Sequence, residues 1–259
     1  ADFQFINLDL NSAALANVRF GSETAPDATI PLVEARWHWD GLTPRLQFLR
    51  VVRPRLHLRM DEGGRVSAGA LERLGGGAPG RQRPAIPAIE LEILEGQAVV
   101  DTPFGVLTGT LQSSGTLGQD FSALGEIAPT SRPGRAYALR GGSAELVVVS
   151  REGDLSFRLS ASAEALTWNG ARVSTPAVRI LGRAPLDLAR YDVEISSRAA
   201  SYLGANFSAQ SITADGSFEG IAREAELAPE TWASEARATA GELRIGESTL
   251  RHARFDGRV

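Results

Sequence analysis

Leu155-Ser156-Phe157-Arg158-Leu159-Ser160-Ala161-Ser162-Ala163-Glu164-Ala165 decides the fold. Every odd position is apolar, and every even position carries a hydroxyl or a charge. A period of two places the two sets on opposite faces of a strand, whereas a helix would need apolar residues three and four apart. The preceding Arg151-Glu152-Gly153-Asp154 is a hairpin turn. The same alternation recurs upstream. Val33, Ala35, Trp37 and Trp39 interleave with Glu34, Arg36, His38 and Asp40. Leu56, Leu58 and Met60 interleave with Arg55, His57, Arg59 and Asp61, and Ile89, Leu91 and Ile93 with Glu90 and Glu92. The chain is therefore expected to be all-β, with sheets oily on one side and charged on the other.

Outward from these stretches, Gly and Pro punctuate strand patterns at spacings near ten residues, the signature of an antiparallel meander rather than βαβ units. Strands are expected at 2–10, 14–20, 29–39, 45–52 and 54–61. A change of apolar parity between Phe5 and Ile6 predicts a bulge, and Pro54 marks a strand start, an edge or a bulge. Residues 67–74 read as one short helix, with Ser67 as N-cap and Gly75 just beyond its end. Further strands fit 97–101, 106–112, 119–127, 135–140, 144–150, 172–180, 189–197, 205–214, 217–223, 236–245 and 249–256. Residues 220–240 stay ambiguous. Ala, Glu and Arg favour helix, Pro229 interrupts it, and Ala236, Ala238 and Ala240 fit a strand. The organisation expected is a β segment with its helix over 1–74, a Gly/Pro-rich linker or loop over 75–88, and a continuing repetitive sheet over 89–259.

Composition removes several chemistries. All 27 basic residues are Arg, so there is no P-loop or Schiff-base lysine. Cysteine is absent, which removes thiol nucleophiles, disulfides and thiolate metal sites. The net charge is −4 and Arg is mixed with acids along the strands, a pattern that does not suit nucleic acid. No apolar run approaches the ~20 residues of a membrane-spanning helix. The sequence begins and ends within strand patterns and carries no signal peptide, as expected of a segment of a longer protein.

No catalytic, metal or cofactor site is expected. His38, His57 and His252 each fall on the polar side of a strand among Arg and Asp, as solvated residues do. No G-x-S-x-G elbow is present to activate a serine. Glu90 and Glu92 could suit glycosidase chemistry, yet any polar sheet face presents such pairs. Asn206-Phe207-Ser208 matches a glycosylation sequon by composition alone. Trp37 and Trp39 share the apolar face. They serve equally as sheet core or as an aromatic floor for an acyl chain.

Two segments carry a family resemblance. The first runs from Phe3 to Leu74. It includes ALANVRFGSETAPDATIPLVEARWHWDGL (residues 14–42) and LQFLRVVRPRLHLRMDEGGRVSAGALERL (46–74). The second is LEILEGQAVVDTPFGVLTGTLQSSGTLGQDFSALGEI (91–127), with its TPFGVL turn. Together they resemble AsmA-like bacterial envelope proteins, most closely the YdbH-like branch, with TamB more distant. The resemblance implies a periplasmic protein anchored in the inner membrane. It also implies an elongated, curved sheet whose concave side is a hydrophobic groove. Such proteins move phospholipid between the inner and outer membranes in outer-membrane biogenesis.

The physics of the pattern leads the same way. A contiguous apolar area of roughly several hundred Å² marks a binding surface. Each buried methylene is worth ~0.8 kcal/mol, so an acyl chain gains on the order of 10 kcal/mol before entropy. The expected lining is Val33, Ala35, Trp37, Trp39, Leu56, Leu58, Met60, Ile89, Leu91, Ile93, Leu155, Phe157 and Leu159. The expected partner is a phospholipid or another acyl-chain lipid, with both membranes reached through parts outside this sequence. The alternative is a structural or assembly module of the envelope that binds protein partners, its sheets burying one another.

Overall fold

A computed structural model of the protein describes residues 2–61, 66–70, 88–102, 105–131, 137–168, 170–185, 190–223, 226–227 and 233–258. The fold is all-β and mostly antiparallel. The chain forms two compact units, Ala1–Ile127 with Val148–Gly153, and Ala128–Val147 with Asp154–Val259. The first unit thus holds both the 1–74 segment and the strands from residue 90 to Ile127.

The first unit contains β1 (Asp2–Leu8), β2 (Ser12–Gly21), β3 (Pro26–Asp40), β4 (Thr43–Val52), β5 (Arg55–Met60), β6 (Val66–Ser67), β7 (Glu90–Thr102) and β8 (Gly105–Ser114). β1, β2, β3 and β4 pair antiparallel in succession. β4 and β5 both pair parallel with β7 at one constant offset, from Phe48↔Glu90 to Arg59↔Asp101. They act as a single strand interrupted at Arg53-Pro54. The two parallel pairings are the departures from a simple meander, and β8 then returns antiparallel on β7.

β9 (Asp120–Ser131) and β10 (Tyr137–Arg151) are divided between the units. Glu152 and Gly153 both carry positive φ, 51° and 91°, the type I′ hairpin geometry that the Arg-Glu-Gly-Asp turn predicts. The second unit continues with β11 (Asp154–Trp168), β12 (Ala171–Ser174), β13 (Ala177–Pro185), β14 (Arg190–Leu203), β15 (Phe207–Arg223), β16 (Glu226–Leu227), β17 (Ala233–Ile245) and β18 (Ser248–Arg258). β11, β13, β14, β15, β17 and β18 form an antiparallel succession.

Several local expectations change. The strand expected over 172–180 divides into β12 and β13, and residues 137–140 and 144–150 fall on one strand, β10, and 207–214 and 217–223 on another, β15. Glycines suggested breaks there, but an interior strand carries a glycine without losing its ladder, as Gly216 does between Ile195 and Ala236. Within 220–240 the described residues are strand, while Pro229 lies outside them. Of the helix expected over 67–74, Ser67 closes β6 and Gly69–Ala70 begin a 3₁₀ turn. The Ser67 hydroxyl accepts the Gly69 N–H at 3.3 Å, as a cap would, and the Asp27 carboxylate accepts the Ala70 N–H at 3.0 Å. Leu71–Leu74 and the linker residues 75–87 lie outside the described residues.

Candidate functional site: two apolar faces and their kink lines

Alternation fixes which side chains share a face, and the ladders fix which of them are neighbours. In the first unit Leu15, Val33, Val51 and Ile93 form one cross-strand row, and Ala13, Ala35, Leu49 and Leu91 the next. Trp37 lies opposite Leu46, and Trp39 opposite Pro44. Phe20, Ala28, Leu56 and Ala98 make a further row, followed by Leu58 beside Val100. In the second unit the rows are Phe157–Gly182–Val193–Phe218 and Leu159–Ile180–Ile195–Gly216–Ala236.

Thus Val33, Ala35, Trp37, Trp39, Leu56, Leu58, Met60, Ile89, Leu91 and Ile93 belong to the first unit. Leu155, Phe157 and Leu159 belong to the second. All thirteen are half-buried except Trp39, which is 44% exposed, with its Nε1–H donating to the Leu10 carbonyl at 2.9 Å. In a sealed sandwich the inward residues of both layers are covered by the facing sheet. Here full burial among the described hydrophobics is confined to Val18, Ala28, Phe48 and Phe121 in the first unit, and to Ala165, Ala209, Ala240 and Leu243 in the second.

Most of those buried residues flank a feature the expected lining did not include. In the first unit Asn17, Arg53 and Glu95 have left-handed backbones, with φ of 53°, 50° and 52°. The flanking ladder pairs set Asn17 against Pro31, Pro31 against Arg53, and Arg53 against Glu95. In the second unit Thr175, Ser211 and His252 are left-handed, with φ of 46°, 51° and 54°. Continuous register sets Thr175 against Ala200, Ala200 against Ser211, Ser211 against Gly241, and Gly241 against His252. Each unit therefore has a straight line of kinks crossing its strands. From β2 to β7 in the first unit and from β12 to β18 in the second, the pairing on either side of the line keeps the same register, whereas at the outer ends of the first line the β1–β2 and β7–β8 ladders shift register beside Asn17 and Glu95.

The kinks move the apolar parity by one. On β2 the apolar series passes from Ala13 and Leu15 to Val18 and Phe20. On β15 it passes from Phe207 and Ala209 to Ile212, Ala214 and Phe218. Both halves stay on one face: Ala209, Ala240 and Leu243 cluster with Tyr202, Ile212 and Ala253 from both sides of the line. Left-handed residues other than glycine cost of order 1 kcal/mol each, most for a β-branched residue such as Thr175.

In the second unit aromatic rings lie flat over glycines of the adjacent strand. A Cβ added at Gly182 would fall inside the Phe157 ring, and one at Gly220 would strike the Tyr191 hydroxyl end. Phe157 pairs with Gly182, and Tyr191 with Gly220. A ring laid across a neighbour's backbone keeps the face low.

The opposite faces are charged. Arg50 donates to Glu92 at 2.6 Å and to Glu34 at 3.0 Å, joining three strands, and its pKa is raised mainly by the Glu92 hydrogen bond. The Arg36 guanidinium lies 4.1 Å from the centroid of Phe48, its partner across the β3–β4 ladder. His57 meets Asp101 at 2.8 Å. In the second unit Asp256 accepts from Arg254 and Arg237, both at 2.9 Å, and the Arg254 bond is the first cause of its lowered pKa. Arg258 pairs with Glu235. A hollow of about 790 Å³ opens among these charges, between Arg179, Asp215, Glu235 and Arg254. Another of about 500 Å³ sits on the kink line beside Pro176, Arg198 and Ser211. Among the described residues no group of three or more His, Asp or Glu side chains is placed to hold a metal ion. No described helix is long and apolar enough to cross a membrane.

The signal for the kink lines is present in the sequence as repeated slips of alternation, such as that from Ala13 and Leu15 to Val18 and Phe20. No family model, curated protein or solved structure matches this chain.

Proposed function

We propose that this chain is a lipid-binding groove module of a periplasmic envelope protein that moves phospholipid between two membranes, as its resemblance to the AsmA-like family implies. The observation that carries the reading is the half-burial of the apolar rows in both units. Side chains such as Val33, Leu91, Phe157 and Leu159 retain accessible surface although their neighbours in the ladder are in place. Acyl chains suit such a surface because contact with them is non-directional and worth ~0.8 kcal/mol per buried methylene. Rows of similar residues offer similar contacts along their length, so a lipid can shift position without breaking a specific bond.

Mass spectrometry of the purified protein tests this. Phospholipid should co-purify with the parent chain and with Arg158→Glu, which alters the polar face, and should be lost from Phe157→Glu. Because Phe157 also covers Gly182, Leu91→Glu in the first unit serves as a second variant, with far-UV circular dichroism checking the fold of each. Equal lipid content in all four proteins would reject the groove. Absence of lipid from all four would favour the alternative, an assembly module whose apolar rows meet protein partners.

A further inference from the structure

Several arginines on the charged face of the second unit are met by acids. Arg158 pairs with Glu145, Arg190 with Asp192 and Glu219, Arg237 and Arg254 with Asp256, and Arg258 with Glu235. Two neighbours on that face are not. Among the described residues neither Arg179 on β13 nor Arg198 on β14 has an ion-pair partner. The ladder brings these two together. Ala177 lies opposite Arg198, and Arg179 opposite Ser196. The arginines are thus diagonal neighbours, about 7–8 Å apart at Cα. Both lie on the same side of the kink line, so unbroken alternation puts them on one face. The residues directly opposite them on this ladder, Ala177 and Ser196, are small, and nothing bulky stands between the two guanidinium groups.

Hydroxyls flank the pair. Register sets Ser160 against Arg179, Ser162 against Ala177, and Thr213 against Arg198. The hollow of about 500 Å³ opens beside Arg198, and the hydroxyl residues Ser162, Thr175, Ser211 and Thr213 line it without any acid. The Thr213 hydroxyl lies 2.7 Å from that of Thr239, and by accepting from it keeps its own proton for a ligand. The nearest acids by register are Asp215, opposite Ser196, and Glu194, opposite Leu181. Neither forms an ion pair with either arginine. Like charges set side by side across strands repel, and an anion held between them turns that repulsion into attraction. Each guanidinium presents a planar fork of N–H donors that matches the oxygens of a phosphate.

We infer that the charged face of the second unit binds a phosphate group between Arg179 and Arg198, with the Ser162 and Thr213 hydroxyls donating to its remaining oxygens. A soluble phosphomonoester and a lipid headgroup both carry this chemistry. The inference goes beyond the groove reading, which concerns the apolar face, because this site lies on the opposite face of the same sheet.

Inorganic phosphate is the first probe, titrated at low ionic strength and followed through the arginine Nε–H resonances in NMR spectra. Those of Arg179 and Arg198 should move together and saturate. Arg179→Gln and Arg198→Gln, each with its fold verified by far-UV circular dichroism, should each weaken binding about tenfold. Arg183→Gln removes another unpaired arginine from the same strand and face, and should bind as the parent does. Vesicle flotation then separates the two sources. Binding to phosphatidic acid vesicles but not to phosphatidylcholine vesicles, lost in the Arg179 and Arg198 variants, assigns the site to a headgroup. Phosphate binding without vesicle binding assigns it to a soluble phosphate. Absence of saturable phosphate binding would overturn the proposal. So would equal weakening by all three variants, the result that diffuse attraction to a basic surface gives. None of these readouts depends on co-purified lipid.

Discussion

The kink lines of the two units reach the same backbone result with different residues. The first unit uses Asn17, Arg53 and Glu95 with Pro31 and Pro54 beside them, and its face carries large side chains such as Trp37, Leu49 and Leu91. The second uses Thr175, Ser211 and His252 with Ala200 and Gly241 between them, and its aromatic rings lie down over glycines. In each unit the left-handed residues fall on strands that run in one direction: β2, β4–β5 and β7 in the first, β12–β13, β15 and β18 in the second. Residue type therefore does not set the position of the line. Strand direction and ladder register do, and the side chains are whatever the local space admits.

The largest test of this contrast is steric. Gly182→Val places a side chain where the Phe157 ring sits, and should cost the second unit ~2 kcal/mol. Adding Phe157→Ala should recover part of the loss, read as urea midpoints of the single and double variants. Two equal midpoints would mean that ring and glycine are not coupled.

Next in size is strain. Thr175→Gly removes a β-branched residue from a left-handed backbone, and should stabilise by ~0.5–1 kcal/mol after allowing for the greater freedom of glycine when unfolded. Asn17→Gly should gain nothing or lose slightly, because Asn tolerates this conformation and Asn17 also donates to Gln4 at 3.2 Å. Shifts of equal sign and size would erase the distinction between the two lines.

The smallest effect is electrostatic. The Asp256 carboxyl is held below its usual range by hydrogen bonds from Arg254 and Arg237. The stabilisation from its ionised form is complete above the ordinary Asp range near about pH 4, and disappears as pH falls through the lower folded value. Asp256→Asn should lower thermal stability slightly at neutral pH and converge with the parent in acid, so that the acid side of its profile is flatter. Added salt should shrink the difference between variant and parent. An unchanged acid limb would show that this exposed cluster contributes nothing to stability.

Much of this architecture was legible in the sequence. Alternation in 155–165 and 33–40 identified strands and their faces, and Arg-Glu-Gly-Asp identified a hairpin. Within each strand the thirteen residues expected to line a groove share parity because burial selects every second side chain. What stayed hidden depends on partners distant in the chain. The parallel pairing of β4 and β5 with β7 is encoded in no local motif. The Glu34–Arg50–Glu92 bridge needs three strands in register before it exists. The long strands β10 and β15 were divided at glycines, since local propensity overstates the power of one glycine to end a strand whose neighbours are in place.

The direction rule of the kinks limits how such a sheet can change in size. Adding a single antiparallel strand would reverse the polarity of all that follow and put their turned residues on the wrong members of the series. Adding a hairpin would not. A sheet of the second unit's design thus lengthens or shortens two strands at a time, and an odd number requires a same-direction junction such as the one where β7 joins β4 and β5.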